Sequence, residues 1–514
     1  MRCIECEEIE LARVRDERPG QTLPIPYAAL DGFPAGRTPR DLTRRRLLQW
    51  GVAGFASIYG AGQLGFEQVW EAVAEAAEAP QDRALVLIYL AGGNDGVNVL
   101  VPTEAGSGKD YEAYVVARPS LHRVHGPSTA ERVGSRLIPD TPLAFANVTV
   151  SKDNDGDNSA PRFNFTGTGG DGLGFDSLYD AGDLAVMPAV DALQYNLSHF
   201  DNSDIWFRAG NDVNVKTGWL GRWLERYGSD ANPLQAISID TALSKAIRTT
   251  AKPVCAIPSL PMAGFRMNAS NYGGANDPGT NRFDLTAPVR GLAAATAPSN
   301  PYLGRSRSTY TLAVDTYERT VDAGTVAANA LYPSGGTLST RLRTAAHLLG
   351  ANLGTRVITI HWGAFDTHTG QLAAQDRQLA ELSRALAAFQ ADLTARGIEQ
   401  NVCTLVFSEF GRRVRENGAD ATAGTDHGAG GLMLALGSGV RGGFASEWPG
   451  CETAERVPAN DGQGNIKVPT DYRSVYRAVI EEWLEGDSEA VLGGPPTSQL
   501  VRGDGYAGAR RLFL

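Results

Sequence analysis

The sequence predicts an α/β protein built on a doubly wound, mainly parallel sheet. Short apolar runs of strand length recur along the chain, beginning with the unbroken stretch 84–92, as expected for strands buried on both faces. Segments with apolar residues at helical spacing stand between most of these runs, and such alternation marks parallel crossover units. Carboxylate and imidazole residues then gather just past the runs, where open α/β sheets place their ligands. The 514 residues can bury a large core, and 42% hydrophobic with 20% charged residues is ordinary for a soluble globular chain. A net charge of −11 argues against nucleic acid as a partner.

The chain opens with an address. Asp41 to Gln49 reads D-L-T-R-R-R-L-L-Q, followed by a moderately apolar, Gly/Ala-rich stretch from Trp50 to about Leu64 and small residues around Ala72 to Ala79. This resembles a twin-arginine export signal with Arg44 and Arg45 as the pair. Residues 1–79 are then signal and leader, and 80–514 the α/β domain. The twin-arginine translocase becomes a partner during export, and the expected location is periplasmic or secreted, in a bacterium. The alternative is a basic helix cap before a core helix. The stretch is too short and Gly-rich for a membrane span, so no stable transmembrane anchor is expected. Cys3 and Cys6 form a lone C-x-x-C, and Cys255, Cys403 and Cys451 are too scattered for a disulfide framework.

The run 84–92 is the first core strand. The glycines of GGNDG, Gly92 to Gly96, permit a tight turn and would project the Asp95 carboxylate at the strand end, although Asn-Asp-Gly is also an ordinary turn. Residues 103–175, polar and rich in Gly, Asp and Asn, read as an insertion at the sheet's rim. A second strand follows at 184–190, then helices over Asn196–Ala209 and Thr217–Tyr227, with Trp206, Trp219, Leu220 and Trp223 as core. Ser198 stands where the first of these helices begins. It serves there either as an N-cap or as a nucleophile, because a helix N-terminus favours a developing anion. Its neighbour His199 suits substrate binding or proton shuttling. A third strand is read at 234–240, and 250–335, rich in Pro, Asn, Gly and Ser, reads as a cap-like insertion.

The rhythm returns with a helix through Ala345 to Leu349 and the strand RVITI. Asp366 and His368 follow it and can both reach one ion from a loop, whereas His361, inside the strand, reads as a core histidine. A long helix, Gln371 to Ala395, leads to the strand CTLVF with Glu409 at its end. Arg412 suits an anionic substrate through bidentate hydrogen bonds, while Arg413 and Arg415 read as solvated. A Gly-rich loop delivers Asp426 and His427, before a strand at 432–437 and a last helix from about Tyr472 to Leu484. Carboxylates and imidazoles are ligands for hard or borderline divalent metals. Asp95, Asp366, His368, Glu409, Asp426 and His427 are therefore candidate ligands for one or two ions (zinc, manganese, iron or calcium). Gly167, Gly169 and Gly172 form G-x-G-x-x-G without a preceding strand, and Asp153, Asp155 and Asp157 lack the rest of a calcium loop, so neither pattern carries a site.

In this order, the twin-arginine signal, GGNDG, SHF, FDTH, SEFGR and GTDHG resemble the bacterial family called domain of unknown function 1501, from about Arg44 to near the C-terminus. That family is similar in turn to the alkaline phosphatase and sulfatase superfamily. The resemblance implies a doubly wound sheet of alkaline-phosphatase-like type. It matches Asp95 to the first-strand metal ligand, Ser198 to the nucleophile, Asp366 and His368 to an Asp and His pair, and His427, helped by Asp426, to the last His ligand. Glu409 stands where an Asp is usual, and Phe410 replaces the His that normally follows it. A formylglycine sulfatase would need Cys at the nucleophile position, where this chain has Ser198. The implied activity is exported, metal-dependent hydrolysis of a phosphate or sulfate ester. Ser198 or a metal-activated water would attack, and Arg412 or His199 would steady the anion. Phe410 motivates the competing expectation, a non-catalytic, metal-stabilised protein of the same fold that binds polysaccharide or a protein partner. A Ser-Gly-Asn-His esterase, echoed by Gly93-Asn94-Asp95, would need a G-D-S block upstream, which is missing.

Overall fold

The run Ala84–Leu90 forms a strand, β2, in which every residue is buried, and it lies in the middle of a ten-stranded sheet in the computed structural model. The structure describes residues 57–59, 66–80, 82–102, 108–122, 136–137, 143–145, 149–150, 163–164, 174–257, 266–268, 282–284, 332–452, 456–457, 464–493 and 512–514. In chain order the other sheet strands used below are β1 (Ser57–Tyr59), β3 (Leu184–Asp191), β4 (Ala236–Ser238), β5 (Val254–Ala256), β6 (Val357–Trp362) and β7 (Val402–Ser408). A hairpin of β8 (Gly411–Asn417) and β9 (Gly424–Gly428) follows, then β10 (Gly431–Leu436), β11 (Gly443–Phe444) and β12 (Thr470–Asp471). The sheet order is β1-β5-β4-β6-β2-β7-β10-β3-β11, with β12 also beside β3.

Both faces of the sheet are covered, as the apolar runs predict, and β2 divides its side chains between them with the period of two that a strand imposes. Val86, Ile88 and Leu90 pack with Leu342 of helix α5 (Thr337–Gly350) and Leu386 and Phe389 of helix α6 (Gln371–Arg396). Leu85, Leu87 and Tyr89 face the other side. They share a core with Trp206 of α3 (His199–Arg208), Trp219 and Trp223 of α4 (Trp219–Tyr227) and Tyr476 of α7 (Tyr472–Ala478). The last helix passes from α7 into a π-helical turn, Val479–Trp483.

Strands β5, β4, β6, β2 and β7 run parallel in succession. The expectation of a mainly parallel sheet needs one correction in its interior. β10 is antiparallel to both β7 and β3. Among the described residues the chain forms no α-helix between β7 and β10. It turns through the β8–β9 hairpin at the carboxyl end of β7, so the next strand starts from that end and must run backwards. β1 is also reversed, against β5.

Two pieces of the segment expected to be a leader sit on this fold: β1, and helix α1 (Phe66–Glu78), which buries Val73. Arg44, Arg45, Cys3 and Cys6 lie outside the described residues, as do the glycine and aspartate patterns between 153 and 172 and most of 250–335. The described helix of the rim insertion is more deeply embedded than the segment's polar composition implies. This helix, α2 (Gly108–Ala117), buries Tyr114, and Arg118 after it is buried too.

Candidate metal centre

β6, β2 and β7 are neighbours, and their carboxyl ends converge. The glycine pair after β2 makes this possible. Gly92 has φ +111°, and a Cβ there would lie 2.3 Å from the backbone nitrogen of Asp366. Gly93 has φ +79°, and its Cβ would lie 2.3 Å from the Phe410 ring. Both the handedness and the proximity require glycine. Gly92→Ala is therefore expected to cost roughly 2–6 kcal/mol, combining backbone strain with overpacking. Denaturant unfolding measures this, and a loss under about 1 kcal/mol would contradict the close passage of the Asp366 loop.

Asp366 lies at the focus of the site. His368 Nε2 and His427 Nε2 approach its Oδ1 at 3.0 and 3.1 Å, and His199 Nε2 approaches Oδ2 at 3.5 Å. His199, Asp366 and His427 each offer one ligand atom within 4.8 Å of the other two, a spacing that can hold a metal ion. His368 flanks them on the open side, its side chain 43% exposed.

The outer edge of each imidazole is held. His427 Nδ1 is 2.8 Å from the carbonyl of Leu197, His199 Nδ1 is 2.7 Å from Glu409 Oε1, and His368 Nδ1 is 3.2 Å from Asp426 Oδ1. A carbonyl can only accept, so His427 Nδ1 carries a proton, and its Nε2 lies 3.0 Å from His368 Nε2. All three rings thus turn Nε2 inward, the edge that binds metal when an acceptor holds the other. Asn417 donates to Asp426 in turn.

The charges favour a cation here. Burial opposes ionisation of Asp366, but hydrogen bonds from His199, His368, His427 and Arg412 outweigh it and hold the carboxyl well below the usual range. Burial would lower His199, yet bonding to Asp366 and Glu409 pushes it up to about 9. Between two carboxylates, a divalent ion can supply the positive charge that a proton otherwise brings.

Other expected site residues sit differently. Asp95 is buried and its carboxylate is engaged elsewhere: it forms a two-pronged pair with Arg118, at 2.6 and 3.0 Å, and also accepts from Gln371. Glu409 is buried and bonds His199 and the Gly92 amide. Asp426 orients His368 from the second rank. Arg412 lies beneath the cluster with its side chain 0% exposed. It donates to the carbonyls of Gly93, Thr425, Gly92 and Phe365 and, at 2.8 Å, to Asp366. Its guanidinium holds the site together and does not face solvent. Ser198 is the N-cap of α3, accepting from the Asp201 amide at 3.5 Å, next to the Leu197 carbonyl that holds His427. Phe410 packs against His199 and His427, with ring centroids 4.9 and 4.5 Å away, as a floor where a ligand was expected. His361 is exposed, although its place in a strand suggested the core, and its ring lies against Tyr89. Sequence reading did not find Arg118. A lone arginine in a polar insertion carries no signal of its partner.

Fold and site together define an α/β protein with a histidine–carboxylate centre at the carboxyl ends of its central strands. Residues 332–470 match the family model described as "Protein of unknown function (DUF1501)". The match takes in Asp366, His368, Glu409, Arg412, Asp426 and His427, and leaves Asp95, Ser198 and His199 outside. No curated protein and no solved structure matches the chain.

Proposed function

We propose that this protein is an exported, metal-dependent hydrolase of phosphate or sulfate esters, related in plan to alkaline phosphatases and sulfatases. Export by the twin-arginine route to the periplasm or beyond is part of the proposal. Among the described residues, no helix is long and apolar enough to cross a membrane. The observation that carries the reading is the inward convergence of three Nε2 atoms on Asp366, each ring held from outside. His199, Asp366 and His427 would hold the ion, with His368 beside them. Such imidazole-rich donors suit zinc, iron or manganese better than calcium. A bound ion would polarise the ester oxygen and favour ionisation of the attacking hydroxyl. Ser198, at the N-terminus of α3, supplies that hydroxyl at the helix end that favours a developing anion. Arg412 acts from below by fixing Asp366, and His199, pressed on Phe410, is held for the ion by Glu409.

Elemental analysis of untagged protein, with a screen of phosphomonoesters, phosphodiesters and sulfate esters, tests the proposal. The expected result is about one equivalent of a transition metal and turnover of one ester class. Ser198→Ala should lower that turnover by several orders of magnitude with the fold intact. Unchanged turnover in that variant removes Ser198 as nucleophile.

One observation favours a second reading, a non-catalytic metal-stabilised protein that binds polysaccharide or a protein partner. The arginine expected to meet an anionic substrate and the aspartate expected as the first-strand metal ligand are both buried in other bonds. Tightly bound metal without turnover of any ester class would select this reading. Metal-free protein that takes up no ion would refute both.

A further inference from the structure

We infer that Glu409 is a positioning residue of the metal centre: it fixes the Nδ1 edge of His199 so that Nε2 is presented to the ion. The inference rests on the metal-centre reading. It concerns one ligand's support and leaves the substrate open.

Glu409 is poorly placed to be a ligand itself. Its side chain is buried, and its oxygens already have partners. Oε1 accepts from the Gly92 amide at 2.8 Å and meets His199 Nδ1 at 2.7 Å. Oε2 lies 3.0 Å from the Ser408 hydroxyl, which also reaches the Leu90 carbonyl. Both acceptor sites of Oε1, the oxygen that meets His199, are therefore taken.

The arrangement restrains His199 in each direction that matters. Glu409 sets the rotation of the ring by holding one nitrogen, and Phe410 supports its face at 4.9 Å. The side-chain amide of Asn202, one turn along α3, donates to the Glu409 carbonyl, so the helix bearing His199 is tied to the same strand end. Tyr89 lies on β2 and packs against Phe207 of α3 and Phe407 of β7. The support therefore runs through rigid elements. A carboxylate that holds the outer nitrogen of a metal-bound histidine fixes its tautomer and strengthens it as a donor, and losing such a partner typically weakens metal binding about 10–100-fold.

A purely structural Glu409 would only fasten α3 to the sheet, and the test separates the two roles. Zinc affinity is measured by chelator competition for the wild type, Glu409→Gln and Glu409→Asp, with the cobalt(II) absorption spectrum recorded for each. The His199 Nδ1–H resonance is followed by NMR in the zinc-loaded protein. Glu409→Gln, nearly isosteric, should bind zinc about 10–100-fold more weakly, alter the cobalt spectrum and lose or shift the His199 proton signal, while the His427 signal stays. Glu409→Asp draws the carboxylate back from His199 and should weaken binding several-fold in the same direction. It also carries the test if Glu409→Gln does not fold. Wild-type zinc affinity and an unmoved His199 signal in a folded Glu409→Gln protein would overturn the inference, and the same result in Glu409→Asp would overturn it if that is the variant that folds. A wild type that binds neither zinc nor cobalt would overturn the metal centre itself, which is a distinguishable outcome.

Discussion

Arg118→Ala should cost about 3–5 kcal/mol of folding stability, the typical penalty for leaving one member of a buried ion pair uncompensated. Arg118 and Asp95 both have side chains 0% exposed. The guanidinium forms two bonds to the carboxylate and also donates to the carbonyls of Val414 and Arg413 and to Asn98 Oδ1. With alanine in its place, Asp95 keeps Gln371 but loses its counter-charge, and two carbonyls of β8 lose their donor. The damage therefore reaches the hairpin that carries Arg412. The double variant Asp95→Asn with Arg118→Met should recover part of the loss, because it removes the charge together with its partner. Urea or guanidinium unfolding of the three variants measures both effects. A loss below about 1 kcal/mol in Arg118→Ala would mean that this pair is not buried in solution.

Asp366→Asn should act on the ion and spare the fold. The substitution keeps the shape and removes the charge on which three imidazoles and Arg412 converge. Metal affinity should fall by more than about 100-fold, beyond the effect expected from a supporting residue, because a ligand is lost. Arg412 retains its backbone acceptors but loses the carboxylate it faces, so metal-free stability should fall by about 1–3 kcal/mol. Chelator competition and thermal melts of the metal-free protein separate the two effects. Wild-type affinity in this variant would remove Asp366 from the centre.

The sheet was largely legible in the sequence because strands buried on two faces must be almost wholly apolar, and Ala84–Leu90, 184–190 and, but for Thr404, 402–407 are. The direction of β10 follows from the absence of a helical segment between Ser408 and Gly431, a local feature that the general alternation of strand and helix obscured. Which residues gather at the rim was also partly readable, since Asp366 and His368 stand just past β6, but the Gly-rich loop expected to deliver Asp426 and His427 is the strand β9. The role of each was harder to read. Asp95 and Glu409 are carboxylates at strand ends, like Asp366. Their neighbours Arg118, Gly92 and His199 come from remote segments, and those neighbours decide whether an acid binds an ion, balances an arginine or props up an imidazole. Sequence spacing does not encode that choice. Likewise, Phe410 read as a missing ligand, and only tertiary packing reveals it as the floor under two histidines.

The place of β2 in the sheet also bears on how the molecule is made. The strand between which the centre forms is complete early in the chain, yet both its neighbours come from the other end, and Gly92 meets Glu409 across 317 positions. Pairings so distant in sequence require large loops to close and make assembly slow. During synthesis β2 must wait, with two hydrogen-bonding edges open, until the segment through β7 has been translated. That interval is when the chain is most exposed to mispairing and has most need of a chaperone. An ion held by His199, Asp366 and His427 would be captured only after these strands close, which would place metal loading late in maturation.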